Sequence, residues 1–333
     1  MEMNNIFYAL GIDAGGTLTR AVLIKFMDEH QLVIGISEKG SGNPASIGWD
    51  NALRNILDAA LEIIHQANIS PLDVSVIGVS AAYTGWGKYV QRYVELFRKH
   101  FVNARIDVYH DIYASLLSCF PKGEGIVLIM GTGSSCLGVH EGRTVLVGGW
   151  GHLFNDKAGA YRVGRDGITA ALEYYDGRGG ETILLSLLME YMGTNNIYDI
   201  IDHIYSSNDP KSIIAGFAPY VVKACRENDK IACSIIHSVA EDAVNHIWAA
   251  ARRLGLSGAI EAGIVGGFYN GSKDLVEHLF KDIASRKCLN IIVKPQLVKP
   301  VCAVVYPGIA RLTGLDPIDL ALSAPNECKQ IIK

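Results

Sequence analysis

The amino-acid sequence lacks the features of a membrane protein, a nucleic-acid-binding protein or a disulfide-stapled protein. No apolar run reaches the ~18–20 residues that a helix needs to cross a bilayer. The formal net charge is −4 and there is no long basic run, so nothing marks a surface that would neutralise a nucleic-acid backbone. The seven cysteines are scattered and include no Cys-x-x-Cys pair, which argues against a zinc cage and a disulfide framework.

Export signals and flexible linkers are also missing. The first five residues lack the basic start of a secretory signal, so we expect a cytoplasmic protein. Single cores usually stop growing near ~250–300 residues, and a chain of 333 residues therefore predicts two domains. No stretch rich in Pro, Gly or Ser separates two halves, which predicts that the halves lie close together with a cleft between them.

Two apolar segments are each interrupted by a glycine turn. Residues 8–26 read YALGIDAGGTLTRAVLIKF, and residues 125–140 read GIVLIMGTGSSCLGVH. Both patterns predict a strand, a tight turn and a second strand. The first third of the chain predicts the order βββαβαβ, whereas most of the second half predicts helices. The pattern therefore indicates an α/β fold with a weak internal duplication.

Each glycine turn has two interpretations. It is either a plain hairpin turn or a cradle whose backbone N–H groups converge on a phosphate, because glycine lets an anion approach the backbone closely. Neither loop contains a Lys, and each leads into a strand rather than a helix, which excludes a Walker-type phosphate loop. Both turns occur at the same place in the two halves, and this favours the phosphate interpretation.

Four motifs together resemble the phosphate and adenosine motifs of the superfamily of actin, hexokinase and the heat-shock chaperone ATPases. They read GIDAGGTLTRAVL, GTGSS, GGWG and GIVGG. Within that superfamily, the segment GGWGHLFNDKAGAYRVGRDGI is similar to the N-acetylglucosamine kinase and acyl-CoA-reductase-activator family. The resemblance implies an ATP-dependent sugar kinase that acts on a small-molecule sugar and forms a homodimer. It also implies two ribonuclease-H-like lobes of the actin/hexokinase type with a nucleotide cleft between them, at residues 1–113 with 312–333 and at residues 114–311.

The resemblance assigns ATP and Mg²⁺ to the glycine turns. Asp13 would approach Mg²⁺. Gly266 and Gly267 would pass under the adenosine, although the same pair also fits an ordinary strand-to-helix turn. The residues that the resemblance places along the phosphates are Gly15, Gly16, Thr17, Gly131, Thr132 and Gly133.

Asp111 is the candidate catalytic base. It stands where an apolar strand ends and a helix begins, so it is either an N-cap or a carboxylate that takes the proton of a sugar hydroxyl. The two interpretations are compatible, because a helix N-terminus also favours the ionised form of an acid. The neighbouring His110 is expected to pack or to donate a hydrogen bond rather than to act on the substrate.

The resemblance also implies acceptor-binding residues in two loops. Asn43 would hold a sugar hydroxyl, unless residues 39–48 are only a solvated loop. Asp156 would bind the sugar or lie near the metal, unless it is a surface N-cap. The loop at 148–151 adds backbone donors and one ring that either faces the sugar or packs, and its members are Gly149, Trp150 and Gly151.

The acceptor side departs from the family pattern in its charges. The segment 81–85 has no acid, Lys157 replaces a Glu, and Arg162 replaces an apolar residue. Because Arg and Lys bind carboxylates well, this local change predicts a sugar acid of the 2-keto-3-deoxygluconate type as acceptor. The alternatives are that the two cations lie on a solvated helix face, and that the acceptor is N-acetylglucosamine, another hexosamine or a hexose.

Two other classes of protein compete with the kinase. An ATPase that activates a partner enzyme would bind an iron–sulfur cluster on cysteines, but the cysteines here have no close partners in sequence. A sugar-sensing regulator without catalysis would have no need to keep both glycine turns and Asp111. The sequence therefore favours the kinase.

Overall fold

The computed structural model shows two compact units. The first contains Met1–Glu124 together with Pro295–Lys333, and the second contains Gly125–Lys294. The residues that the structure describes are 6–27, 30–81, 87, 89–154 and 156–329.

The described residues form ten strands where β-branched and apolar residues are dense, and five of these strands belong to each unit. In chain order they are β1 Phe7–Ala14, β2 Thr19–Met27, β3 His30–Lys39, β4 Val74–Ala81, β5 Arg105–His110, β6 Gly125–Met130, β7 Ser134–His140, β8 Arg143–Gly148, β9 Ile260–Val265 and β10 Ile291–Lys294.

In the part of the chain that the structure describes, fourteen α-helices connect or cover these strands, and many of them begin at a side-chain cap. Asp229, for example, accepts a hydrogen bond from the Ala232 N–H at 2.9 Å and starts the longest helix. The helices are α1 Pro44–Ile47, α2 Trp49–Gln66, α3 Val90–Arg98, α4 Asp111–Cys119, α5 Ala160–Tyr175, α6 Leu184–Met192, α7 Ile197–Ser206, α8 Pro210–Gly216, α9 Ala218–Arg226, α10 Lys230–Leu254, α11 Gly267–Arg286, α12 Pro300–Ala303, α13 Tyr306–Thr313 and α14 Pro317–Leu322.

The two sheets have the same topology. The strand order is β3-β2-β1-β4-β5 in the first unit and β10-β9-β6-β7-β8 in the second. In each sheet a three-stranded antiparallel meander is extended by two parallel strands. Each meander begins with the hairpin that carries a glycine turn, so the duplication that the sequence indicates is present in the strand order.

Both faces of the first sheet are covered. One face packs on α2 and α3, where Ile56, Ile63 and Phe97 are buried. The other face packs on the returning segment with α12 and α13, where Val304 and Tyr306 are buried. The second sheet packs on its helices around α10. Among the described residues, no helix has both the length and the hydropathy to cross a membrane.

The boundaries of the units differ from those predicted at 113/114 and 311/312. The structure groups α4 and residues 295–311 with the first unit. The returning chain packs so closely on the first sheet that a Cβ on Gly11 would overlap the Val301 carbonyl, and one on Gly78 would overlap that of Val304. Glycine at these two strand positions lets α12 lie directly on the sheet.

The expectation for the cysteines was wrong for four of the seven. The structure has disulfides between Cys225 and Cys233 and between Cys302 and Cys328. The remaining three, Cys119, Cys136 and Cys288, are free. Spacing along the chain did not reveal these pairs. The turn between α9 and α10 brings Cys225 and Cys233 together, and the fold of the C-terminal segment brings Cys302 and Cys328 together.

Candidate active site

The first glycine turn leaves backbone donors available. The Gly15 N–H closes the turn by donating to the Leu18 carbonyl at 3.0 Å. Gly16 and Thr17 are exposed, and their N–H groups have no acceptor among the residues that the structure describes. Two adjacent free N–H groups on a tight turn make a concave site that suits an anion.

A short loop after β3 supports this turn. Gly42 donates its N–H to the Gly15 carbonyl at 3.0 Å. Asn43 caps α1 by accepting a hydrogen bond from the Ala45 N–H at 2.9 Å. Its amide nitrogen lies near Gly16, at 4.0 Å from where a Cβ on that glycine would be. The Asn43 oxygen therefore has a structural role, and its Nδ2 remains beside the glycine turn as a possible donor to a ligand.

Two carboxylates lie at the carboxyl edge of the first sheet. Asp13 on β1 pairs in register with Ser80 on β4, and the adjacent strand β5 ends one residue before Asp111. Burial raises the pKa of Asp13 to about 6, a hydrogen bond with Ser80 opposes the shift, and the nearby charge of Asp111 adds to it. The parallel strands thus bring together two acids that are 98 residues apart, since 111 − 13 = 98.

Asp13 has the chemistry that a magnesium ion requires. Mg²⁺ takes oxygen ligands and is commonly bound by one or two carboxylates, with water and phosphate oxygens as the other ligands. A buried carboxylate with a raised pKa gains from a bound cation, which favours its ionised form. The described residues contain no group of three or more His, Cys, Asp or Glu that would form a cage made only of protein.

Asp111 is the first residue of α4, and His110 is the N-cap. One carboxylate oxygen, Oδ1, lies 2.6 Å from His110 Nδ1 and accepts a hydrogen bond from the Ile112 N–H at 2.8 Å. Burial is the largest influence and acts to raise the pKa of Asp111, but the hydrogen bond and charge of His110 and the Ile112 N–H together outweigh it and hold that pKa below its usual range. Half of the side chain is exposed. Asp111 is therefore ionised at neutral pH and accessible.

The second glycine turn has the same property as the first. The Gly131 N–H donates to the Gly133 carbonyl at 3.0 Å, while the carbonyls of Gly131 and Thr132 accept from Ala160 and Tyr161 at the start of α5. The N–H groups of Thr132 and Gly133 have no acceptor within the described ranges of the chain. The turn thus fixes its carbonyls in the fold and leaves two donors free.

Asp156 lies against the second turn. A Cβ on Gly133 would overlap the Asp156 carboxylate, so only glycine allows this approach. Burial raises the pKa of Asp156, and the charge of Lys211 opposes part of that shift. Its Oδ1 is buried and has no hydrogen-bond partner among the described residues. A buried acceptor without a donor is costly, and a ligand hydroxyl would satisfy it.

The loop after β8 is built from glycines in the left-handed region. Gly149 and Gly151 have φ of 71° and 94°. The Gly149 N–H donates to the Ser134 carbonyl at 3.1 Å, which anchors the loop to β7. Trp150 is 62% exposed, so its ring is not part of the core of its unit. The role of this ring with a sugar stays a prediction.

Gly266 and Gly267 form a strand-to-helix turn between β9 and α11. Gly266 has φ of 118°, and a Cβ on it would overlap the carbonyl of Met130, directly before the second glycine turn. Gly267 has open space around it. This geometry places the start of α11 beside Gly131. Contact of the glycine pair with adenosine stays a prediction.

We expect Gly266→Ala to destabilise the protein by about 2–4 kcal/mol, because it combines backbone strain with overpacking against a carbonyl that cannot move freely. Gly267→Ala is the matched control, since its added methyl group meets no atom within 4 Å. Urea unfolding of both variants measures the difference. Equal stabilities would show that the close packing at Gly266 is not required.

The two cations predicted to bind an acidic acceptor behave differently. Arg162 forms ion pairs with Asp166 and with Asp242, the latter at 3.4 Å, and its guanidinium also lies 3.3 Å from the Ser238 hydroxyl. Its charge is used inside its own unit, so the argument for a sugar acid loses this residue. Lys157 is exposed. The acid-free segment 81–85 lies outside the described residues after its first position.

Lys211 was not found from the sequence. It is half-buried at the start of α8, and among the described residues it has no ion pair or hydrogen bond, although its charge acts on Asp156. A single Lys that follows a helix cap carries no local signal of function. Only the packing of α8 on α5 places it near Asp156.

Comparisons with known proteins identify relatives of this chain. The chain is 29% identical over 236 residues to an N-acetylmuramic acid/N-acetylglucosamine kinase of Clostridium acetobutylicum, covering 71% of this chain and 76% of the relative. It is 26% identical over 235 residues to a glucosamine kinase of Vibrio cholerae, covering 71% and 77%. A solved structure from Chromobacterium violaceum, described as a candidate N-acetylglucosamine kinase, superposes with a TM-score of 0.71 at 20% identity, covering 90% of this chain and 98% of that one.

The structural likeness confirms the predicted α/β fold class of the actin/hexokinase type. The profile of the BadF/BadG/BcrA/BcrD ATPase family matches residues 10–306, which is most of the chain. The predicted family is thereby confirmed. This chain belongs to the BadF/BadG/BcrA/BcrD ATPase family.

Proposed function

We propose that this protein is an ATP-dependent kinase that transfers the γ-phosphoryl group of ATP to a hydroxyl of an amino sugar. The observation that carries the proposal is Asp111, an ionised and accessible carboxylate fixed at the same sheet edge as Asp13 and the first glycine turn. Both relatives are named as kinases of amino sugars, and this supports an amino sugar as the acceptor. Phosphoryl transfer needs this combination, because it depends mainly on positioning and charge stabilisation.

Each residue type has a defined task in such a reaction. The free N–H groups of Gly16 and Thr17 bind phosphate oxygens, and we assign the same task to Thr132 and Gly133 in their unit. Mg²⁺, when bound near Asp13, neutralises charge on the phosphates. Asp111 accepts the proton of the attacking hydroxyl through Oδ2, which has no hydrogen bond within the described part of the chain.

The acceptor is better described as an amino sugar than as the predicted 2-keto-3-deoxygluconate. Both relatives are named for amino-sugar substrates, and neither is named for 2-keto-3-deoxygluconate. Arg162, which motivated it, is engaged with two aspartates. Asp156 offers a buried oxygen that lacks a donor, and a sugar hydroxyl or amide N–H supplies one.

The proposal is tested by measuring ADP release with a panel of acceptors. The panel contains N-acetylglucosamine, glucosamine, N-acetylmuramic acid, glucose, 2-keto-3-deoxygluconate and a sample without sugar. We expect ADP release that depends on an amino sugar. Hydrolysis at the same rate without sugar would instead favour an ATPase that drives a partner, and preference for the keto acid would restore the sugar-acid acceptor. The predicted homodimer is a separate question that sedimentation would answer.

One observation favours a carboxylated amino sugar as a second candidate acceptor. Lys211 is a half-buried lysine whose charge acts on Asp156 and on Asp209, and among the described residues it forms no ion pair. A cation in this position can bind a carboxylate on the acceptor, such as the lactyl group of N-acetylmuramic acid. The exposed Lys157 adds to the positive charge on this part of the unit.

We expect Lys211→Gln to raise KM for N-acetylmuramic acid about tenfold and to leave KM for N-acetylglucosamine within about twofold, because only the first substrate has a carboxylate to lose its partner. Lys273→Gln is the control, since Lys273 is an exposed lysine in the same unit. Equal changes in KM for both sugars would contradict the assignment. They would indicate that Lys211 acts through Asp156.

A further inference from the structure

The carboxylate of Asp111 is held asymmetrically. Its Oδ1 has two close donors, His110 Nδ1 at 2.6 Å and the Ile112 N–H at 2.8 Å. Its Oδ2 has no hydrogen bond within the described ranges. Two donors on one oxygen fix the rotation of a carboxylate about its χ2 angle, which is otherwise broad. One oxygen is therefore anchored and the other is presented to solvent.

The anchoring depends on the backbone of His110. This residue is the N-cap of α4, with extended φ and ψ of −62° and 146°, and this conformation directs its ring back toward the first turn. Nδ1 also lies 3.4 Å from the Ile112 N–H, but that group is much closer to Asp111. The short contact with a carboxylate assigns the proton to Nδ1, so His110 is the donor.

The charges around His110 favour this arrangement. Asp111 faces it directly, and the charge of Asp111 in turn acts on Asp13 and on the buried phenol of Tyr93 on α3. The hydrogen bond to Asp111 raises the pKa of His110, although burial lowers it. The imidazole thus offsets repulsion between the two acids. The Ser80 hydroxyl also holds the start of α4 in place, because it donates a hydrogen bond to the Asp111 carbonyl at 3.3 Å.

We infer that His110 is a positioning residue, whose Nδ1–H holds Asp111 so that Oδ2 points toward the acceptor hydroxyl. The inference rests on the proposed kinase function. It assigns to His110 a task in turnover and none in binding either substrate. A displacement of about 1 Å at a reacting group can cost up to 10²-fold in rate, so loss of the anchor has a measurable effect.

The test is a double-mutant cycle with His110→Ala and Asp111→Asn, measured as kcat and KM. We expect His110→Ala to lower kcat about 10–100-fold with both KM values within about twofold. In the Asp111→Asn background the same substitution has little further effect, because the group that it positions is already gone. His110→Asn, which keeps an N–H donor and a capping side chain, restores most of kcat.

Three results would overturn the inference, and they are distinguishable from failure of the proposed function. Additive losses in kcat across the cycle would show that His110 acts independently of Asp111. A large rise in either KM would place it in binding. No recovery in His110→Asn would remove the hydrogen bond as the cause. Absence of sugar-dependent turnover in the wild type would overturn the kinase itself, and this inference with it.

Discussion

Asp111→Asn lowers kcat by about 10²–10⁴-fold and leaves the Kd for ATP within about twofold. The substitution keeps the size of the side chain and its acceptance of the Ile112 N–H, but removes the negative charge and the basic oxygen. A positioned general base typically contributes an effect of this size to proton transfer. Steady-state kinetics with an amino sugar measures the loss, and calorimetric titration with a non-hydrolysable ATP analogue measures nucleotide affinity.

The control for Asp111→Asn is Asp58→Asn. Asp58 is an exposed aspartate on α2 in the same unit, and its substitution changes the net charge by the same amount. Wild-type turnover in Asp111→Asn would remove Asp111 from the role of base. Loss of ATP affinity without loss of kcat would instead place this residue in nucleotide binding.

Asp13→Asn makes the protein more stable at pH 7.5 while abolishing most of its turnover. Burial raises the pKa of Asp13 from 3.8 to about 6. For an acid, a raised pKa in the folded state means that the folded protein prefers the protonated form, so ionisation destabilises it. The penalty is absent below about pH 4, grows between pH 4 and 6 and is complete above pH 6. A shift of about two pKa units corresponds to about 3 kcal/mol of unfolding free energy as an upper limit, and solvent screening lowers the expected gain to about 1–2 kcal/mol.

Urea unfolding at pH 4.5 and at pH 7.5 tests this prediction. We expect a clear gain in the free energy of unfolding of Asp13→Asn at the higher pH and a small gain at the lower pH. The expected loss of turnover, about 10²-fold or more, follows from the loss of a carboxylate near Mg²⁺. Asp58→Asn again serves as the control. An equal gain at both pH values would show that ionisation of Asp13 is not the cause.

Asp13→Asn is expected to raise stability and to lower turnover, and this combination is characteristic of a functional residue. A carboxylate that destabilises its own fold persists only where its charge is used, as strained or desolvated groups do at active sites. Arg162 is the contrasting case. Its charge departs from the family pattern, yet it forms ion pairs with Asp166 and Asp242 and so serves its own unit.

Local sequence patterns predicted most strands and the positions of both glycine turns. They did not predict that residues 210–226 form two helices, α8 and α9, which meet at Phe217 before Pro219. Nor did they predict α7, α12 or the two disulfides. These features depend on which surfaces meet in the folded chain. The same is true of ion pairs such as that of Arg162 with Asp242, whose partners are 80 residues apart in the chain.

The sequence alone determined where the backbone turns tightly, because glycine and the flanking apolar runs act over a few residues. It also determined that Asp13 and Asp111 each follow an apolar run at the end of a strand. Only the tertiary structure decided that the two acids share one sheet edge, that Asp156 has an oxygen without a donor, and that Lys211 lies beside it. Burial and the distance between charges fix these properties, and both arise from contacts between segments that are far apart in the chain.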